Sequence, residues 1–183
     1  MAGYDLPTAA TIGGVEYSIR SDYRAVLDVM KVMADQELTD GERATLALAV
    51  FYPESDAMPA RDLQEAIEYM YWFVGGGEGR SEGRRQRVMD WEQDFPIIAA
   101  PVNHVLGYEV RAVEYLHWWT FLAAYREIGD CTFAQVVAIR KKRMNGKKLT
   151  DQEKQFYRDN HDLVDLKRSE TDAEAELFDQ WIN

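Results

Sequence analysis

"EYLHWWTFLAAYREIGDC", Glu114 to Cys131, gathers two adjacent tryptophans, two tyrosines, a phenylalanine, a histidine and the chain's only cysteine. Whether this stretch is core or site decides how the rest is read. On a helical wheel at about 100° per residue from Glu114, Tyr125, Trp118, Leu122, Tyr115, Trp119, Ala123 and Leu116 cover roughly 20° to 200°. Phe121 falls beside them. A helix apolar over more than half its circumference is a central core helix, because aromatic side chains at helical spacing carry the largest burial per residue. The spacing predicts a core helix from Arg111 to Ile128, stopped by Gly129; a ligand pocket is the alternative. His117 falls in the narrow polar arc with Thr120, Ala124 and Glu127, without the i+4 carboxylate or thiolate of a helical metal site.

Outward from this stretch the pattern is helical, except at the front. "TAATIGGVEYSIRS" alternates, with Val15, Tyr17 and Ile19 on one face and Gly13-Gly14 suited to a tight turn. Asp22 then caps a helix to about Asp35, and "TDGE" (Thr39 to Glu42) has the spacing of a capping box for a second helix that ends before Pro53. A third, in "PARDLQEAIEYMYWFVGGG", stops at Gly75. Asp90 can cap a helix through "WEQDFPIIAAPVNHVLG", where Pro96 and Pro101 predict a kink, or a start near Phe95 or Pro96. Thr132 to Met144 is expected as a further helix, and "TDQE" (Thr150 to Glu153) is a second capping box.

The expected fold is mainly α: a compact multi-helix domain over residues 1–168, with a short N-terminal β-hairpin at 8–20 and a flexible Gly/Arg loop at 75–87. An acidic amphipathic C-terminal helix follows at 169–183. At 183 residues the chain is near one average domain, and no run approaches the ~20 apolar residues of a membrane span. A soluble protein without membrane contact is expected. "MAGYDLPTAATIGG" lacks a basic start with an apolar stretch behind it, so a cytoplasmic location is expected.

Chemistry is sparse. His104, His117 and His161 are isolated and none lies in HExxH, Cys131 has no cysteine partner, and no GxSxG elbow occurs. Neither metal nor cofactor nor catalysis is expected; the enzyme alternative would need a concave pocket joining His117 to Cys131. "GGGEGRSEGRRQR" (Gly75 to Arg87) lacks GxxxxGK[ST] and is no phosphate loop; it reads as a solvated linker, or as a segment ordering on a partner through arginines such as Arg84 and Arg85.

"AIRKKRMNGKK" (Ala138 to Lys148) holds six basic residues and no acid in a chain of formal net charge −11. Cations suit a helix C-terminus, and the overall charge opposes nucleic-acid binding. Arg140, Lys141 and Lys142 are therefore candidate contacts for an acidic protein surface. The tail "SETDAEAELFDQWIN" of another copy is such a surface, which implies head-to-tail self-association. In that tail Leu177, Phe178, Trp181 and Ile182 form one apolar edge, the second candidate interface.

"DWEQDFPIIAAPVNHVLG", "EYLHWWTFLAAYREIGDCTFAQVVAIR" and "GKKLTDQEKQFYRDNHDLVDL", with the front segment "LPTAATIGGVEYSIRSDYR", together resemble the bacteriophage family named after the fifteenth gene product of a temperate siphophage. The resemblance runs from Leu6 to about Leu166. It implies a non-enzymatic tail assembly chaperone that binds and solubilises the tape measure protein during tail morphogenesis, acts in the host cytoplasm and is absent from the mature virion. Self-association and contacts with other tail proteins are expected with it. The alternative is a structural component of the tail or connector.

Overall fold

The computed structural model describes residues 5–78 and 87–167. In chain order its elements are β1 (Ala9–Ile12), β2 (Val15–Ser18), α1 (Tyr23–Ala34), α2 (Asp40–Phe51), α3 (Leu63–Val74), α4 (Trp91–Leu106), α5 (Trp118–Arg126), α6 (Thr132–Met144), α7 (Asp151–Asp159) and α8 (His161–Val164). The fold is mainly α with one two-stranded antiparallel hairpin, as the patterning predicts. The expected C-terminal helix at 169–183 lies outside the described residues.

The chain divides into two compact units, Met1–Gly83 with Val110–Ala124, and Arg84–Glu109 with Tyr125–Asn183. In the first, β1 and β2 pair from Ala9↔Ser18 to Ile12↔Val15 through Gly13-Gly14, both at positive φ. Asp22 caps α1 by accepting from the Arg24 N–H, and Thr39 with Glu42 closes both arms of a capping box on α2. The core is aromatic. Tyr23 stacks on Phe121 at 4.7 Å between centroids, Trp118 lies 5.7 Å from Phe121, and Phe51 meets Phe73 at 5.3 Å. Each of these five rings is almost wholly buried, the form in which aromatic side chains contribute most.

The quoted stretch is core, but it is not one long helix. Val110–Ala112 makes a single 3-10 turn and α5 starts only at Trp118. The residues between are claimed by the start of α1: the Tyr23 N–H donates to the Leu116 carbonyl at 2.9 Å, the Trp118 N–H to the Ser21 carbonyl at 2.8 Å, and the Leu116 N–H to Asp22 Oδ2 at 2.9 Å. Asp22 and His117 thus form an isolated antiparallel bridge. Tyr115, placed on the apolar stripe by the wheel, is 54% exposed. A backbone bridge to a distant segment outweighs a local periodicity that would otherwise continue the helix.

The adjacent tryptophans answer a specific need. The last carbonyls of a helix have no partner within it. At the end of α3 the Trp118 indole N–H donates to the Val74 carbonyl and the Trp119 indole N–H to the Phe73 carbonyl, both at 2.9 Å. Gly77 sits at φ +83° where a Cβ would come within 3.0 Å of the Trp119 ring, so glycine is required both by the backbone and by the approach of the indole. Residues 75–78 of the expected flexible loop are therefore a built helix end. Residues 79–86 lie outside the described residues.

In the second unit α4 runs unbroken from Trp91 to Leu106 through both prolines and ends at Gly107, φ +78°. The expectation of a start near Phe95 or Pro96 fails because the first turn is held reciprocally. Asp90 Oδ1 accepts from the Gln93 N–H at 2.8 Å, while the Asp90 N–H donates to Asp94 Oδ2 at 2.9 Å. Val136, Ile139 and Val164 form the centre of an apolar cluster with Ile97, Leu149, Phe156, Tyr157 and Leu163 around it. Beside it, Tyr125 lies between Trp91 at 4.9 Å and Phe133 at 5.9 Å.

Candidate functional site

Of the nine candidate interface residues, Arg140, Lys141 and Lys142 are described; Arg84, Arg85, Leu177, Phe178, Trp181 and Ile182 lie outside the described residues. The three stand on α6, which begins where Cys131 Sγ accepts from the Ala134 N–H and which buries Phe133, Val136 and Ile139. Arg140 follows on the same face, so the helix carries it inward. It is 4% exposed, and its candidacy as a surface contact is corrected by that burial.

Every donor of the Arg140 guanidinium is used. Nη1 donates to Asp94 Oδ2 at 2.6 Å and to the Val88 carbonyl at 3.2 Å, Nη2 to Asp94 Oδ1 at 2.9 Å and to the Leu163 carbonyl at 2.6 Å, and Nε to the Val164 carbonyl at 2.7 Å. Asp94 is itself 1% exposed. A buried charge is costly unless paired and fully hydrogen-bonded, and the bidentate fork meets that condition while tying α6 to α4 and to the α8 carbonyls. Asp94 escaped the sequence reading; its i+4 spacing from the Asp90 cap is the local signal that marks it.

The next cations point elsewhere because each helical step turns about 100°. Lys142 Nζ donates to Glu153 Oε1 at 2.6 Å. The bond to Lys142, with the Thr150 N–H on the other oxygen, holds the Glu153 carboxyl below its ordinary value. Arg143 pairs with Asp165 and lies over the Tyr157 ring at 4.2 Å. Burial alone would raise the Asp165 carboxyl; Arg143 and the Tyr157 hydroxyl reverse that and hold it low. Asp90 follows the same logic, burial opposed by the Gln93 N–H and Arg87. Lys141, Lys147 and Lys148 are exposed and have no ionic partner among the described residues.

Beside this helix end lies a groove of about 560 Å³, its apolar lining from Met144, Val164 and Leu166 and its charged rim from Arg87, Arg143 and Asp165. A second groove, about 280 Å³ and almost wholly apolar, lies in the first unit between α1 and α3, lined by Met30, Met33, Met70, Tyr71 and Val74. Met70 is buried, while Met30 and Met33 are half-buried.

His117 is 3% exposed and occupied on both ring nitrogens: Nε2 lies 3.0 Å from the Pro7 carbonyl and Nδ1 accepts from the Trp119 N–H at 3.0 Å. Those partners require the neutral tautomer protonated at Nε2. Burial lowers the pKa, opposed by the Pro7 bond. The ring starts α5 as a helix cap would, a role its place on the wheel does not reveal. Among the described residues no three His, Cys, Asp or Glu side chains gather as a metal site requires.

The described residues form a mainly α protein, with most of the α6 cations engaged within its own architecture and a Met-lined groove and an unneutralised basic edge open. Residues 4–166 match the family described as Bacteriophage Gp15 protein, and the chain belongs to that family. Membership makes it a phage structural or morphogenesis protein. No curated protein and no solved structure matches the chain.

Proposed function

We propose that this protein is a siphophage tail assembly chaperone, non-catalytic and free of cofactors, that binds helical segments of the tape measure protein and keeps them soluble in the host cytoplasm until the tail tube closes around them. Family membership over residues 4–166 carries the reading. The Met-lined groove supports it: thioether side chains adapt to varied apolar partners, and a groove between two helices suits the apolar face of a third. The net charge of −11 supports it as well, since a carrier of apolar cargo needs surplus charge for solubility. Contacts with further copies and with other tail proteins belong to this reading; nucleic acid and membrane do not.

Co-expression tests it. The full chain is expected to co-purify with the tape measure protein of its own phage and to raise that protein's soluble yield, while mass spectrometry of purified virions finds this chain absent or scarce. Stoichiometric recovery in the virion would make it a structural component of the tail or connector instead.

A further inference from the structure

We infer that the chain's own C-terminal segment, residues 169–183, seats in the α6–α8 groove of the second unit. The inference is independent of the chaperone reading. Three observations converge on it.

The first is charge. Of the six basic residues from Arg140 to Lys148, Arg140, Lys142 and Arg143 are neutralised by Asp94, Glu153 and Asp165. Lys141, Lys147 and Lys148 remain exposed without an ionic partner among the described residues, in a chain whose net charge is −11. Residues 169–183 carry Glu170, Asp172, Glu174, Glu176 and Asp179 and no base. Opposite charge of this kind steers and registers a contact.

The second is apolar surface. Met144, at the end of α6, is 46% exposed, and with Val164 and Leu166 it lines the groove. Four of the five acids precede Leu177, Phe178, Trp181 and Ile182, so one short segment offers both negative charge and apolar side chains. Trp is the side chain with most to gain from such a seat.

The third is where the chain leaves. The Lys167 N–H donates to Gln93 Oε1 at 2.9 Å and Gln93 Nε2 donates to the Asp165 carbonyl at 2.9 Å, so α4 pins the exit, and Leu166 already lines the groove. Leu177 lies ten positions after Lys167, a reach of about 15 Å if helical and up to about 35 Å if extended. A tethered segment meets its seat at an effective concentration in the millimolar range, which favours the chain's own tail over that of a second copy.

The test is paramagnetic relaxation in the full chain. A nitroxide is placed at Gln180→Cys in a Cys131→Ser background, serine keeping an acceptor for the α6 cap. At low micromolar concentration the amide signals of Lys141 and Met144 are expected to lose most of their intensity. Lys141→Glu with Lys147→Glu and Lys148→Glu is expected to restore it while the rest of the spectrum stays unchanged, since all three side chains are exposed. Sharp Lys141 and Met144 signals in the labelled full chain would overturn the inference. So would broadening that arises only between spin-labelled and isotope-labelled molecules in a mixture, which would assign the groove to a second copy.

Discussion

The first unit coheres chiefly through rings, whereas the second adds a buried charge network to its apolar cluster. Around Tyr23, Phe73, Trp118 and Phe121, most of the attraction is dispersion and apolar burial, and even the polar atoms of the two tryptophans serve only to close the end of α3. Around Arg140, the fold depends on a planar guanidinium reaching one carboxylate and three carbonyls at once. An apolar core degrades gradually as atoms are removed, whereas a buried ionic network fails when a single member goes, because the partner left behind is an unpaired charge.

The sharpest way to break that contrast is to remove a partner. Asp94→Ala is expected to cost the second unit about 3–5 kcal/mol, and pairing Asp94→Leu with Arg140→Met to recover most of that loss. Phe121→Ala is expected to cost the first unit a similar ~3–5 kcal/mol, but no second substitution beside it should restore the loss, since the cavity persists. Amide hydrogen exchange resolved by unit measures both. A rescue of equal size in each unit would erase the distinction drawn here.

Acid gives the next effect. Asp90, Glu153 and Asp165 in the second unit are all held below their ordinary values, so the stability they contribute is present above the unfolded carboxylate range and is lost as pH falls through the folded values, beginning near pH 4. Among the described residues of the first unit, Glu42 is such a carboxyl, lowered by the Thr39 side chain and N–H. It also holds His117, whose lowered value makes the neutral ring the stabilising form, complete above about pH 6.5 and lost as pH falls below it. Exchange followed from pH 7 downward should therefore show a shallow early loss in the first unit and a steeper, later one in the second.

The smallest effect compares like with like. Thr39→Ala and Thr150→Ala each remove the side-chain acceptor of a capping box and should each cost about 1 kcal/mol, by thermal or denaturant melting. The second should also weaken the Lys142 contact, because Glu153 serves cap and ion pair together.

What the sequence made legible was whatever is decided locally. Both capping boxes lie within four residues, and the helix expected over Thr132 to Met144 forms with those bounds, so these elements form where the pattern places them. The start of α5 depends on a bridge to residues 21–23, and no window around Trp118 contains that information. The basic run shows the limit most plainly: Arg140, Lys141, Lys142 and Arg143 read as one patch, yet one is buried against Asp94, one is exposed, and two are paired with Glu153 and Asp165. Helical rotation sorts them, but only the partners 46, 11 and 22 residues away determine what each is sorted into.

The bond between His117 and the Pro7 carbonyl spans 110 residues, and through it and its neighbours the first unit closes only with chain that follows α4. On a ribosome the hairpin and first three helices emerge long before Trp118 and Trp119 exist to finish them. Contacts of such high order make closure slow, and until then the aromatic faces of α1 and α3 are open to other chains. The order of synthesis thus leaves a newborn copy exposed at the surface its own later residues are made to cover.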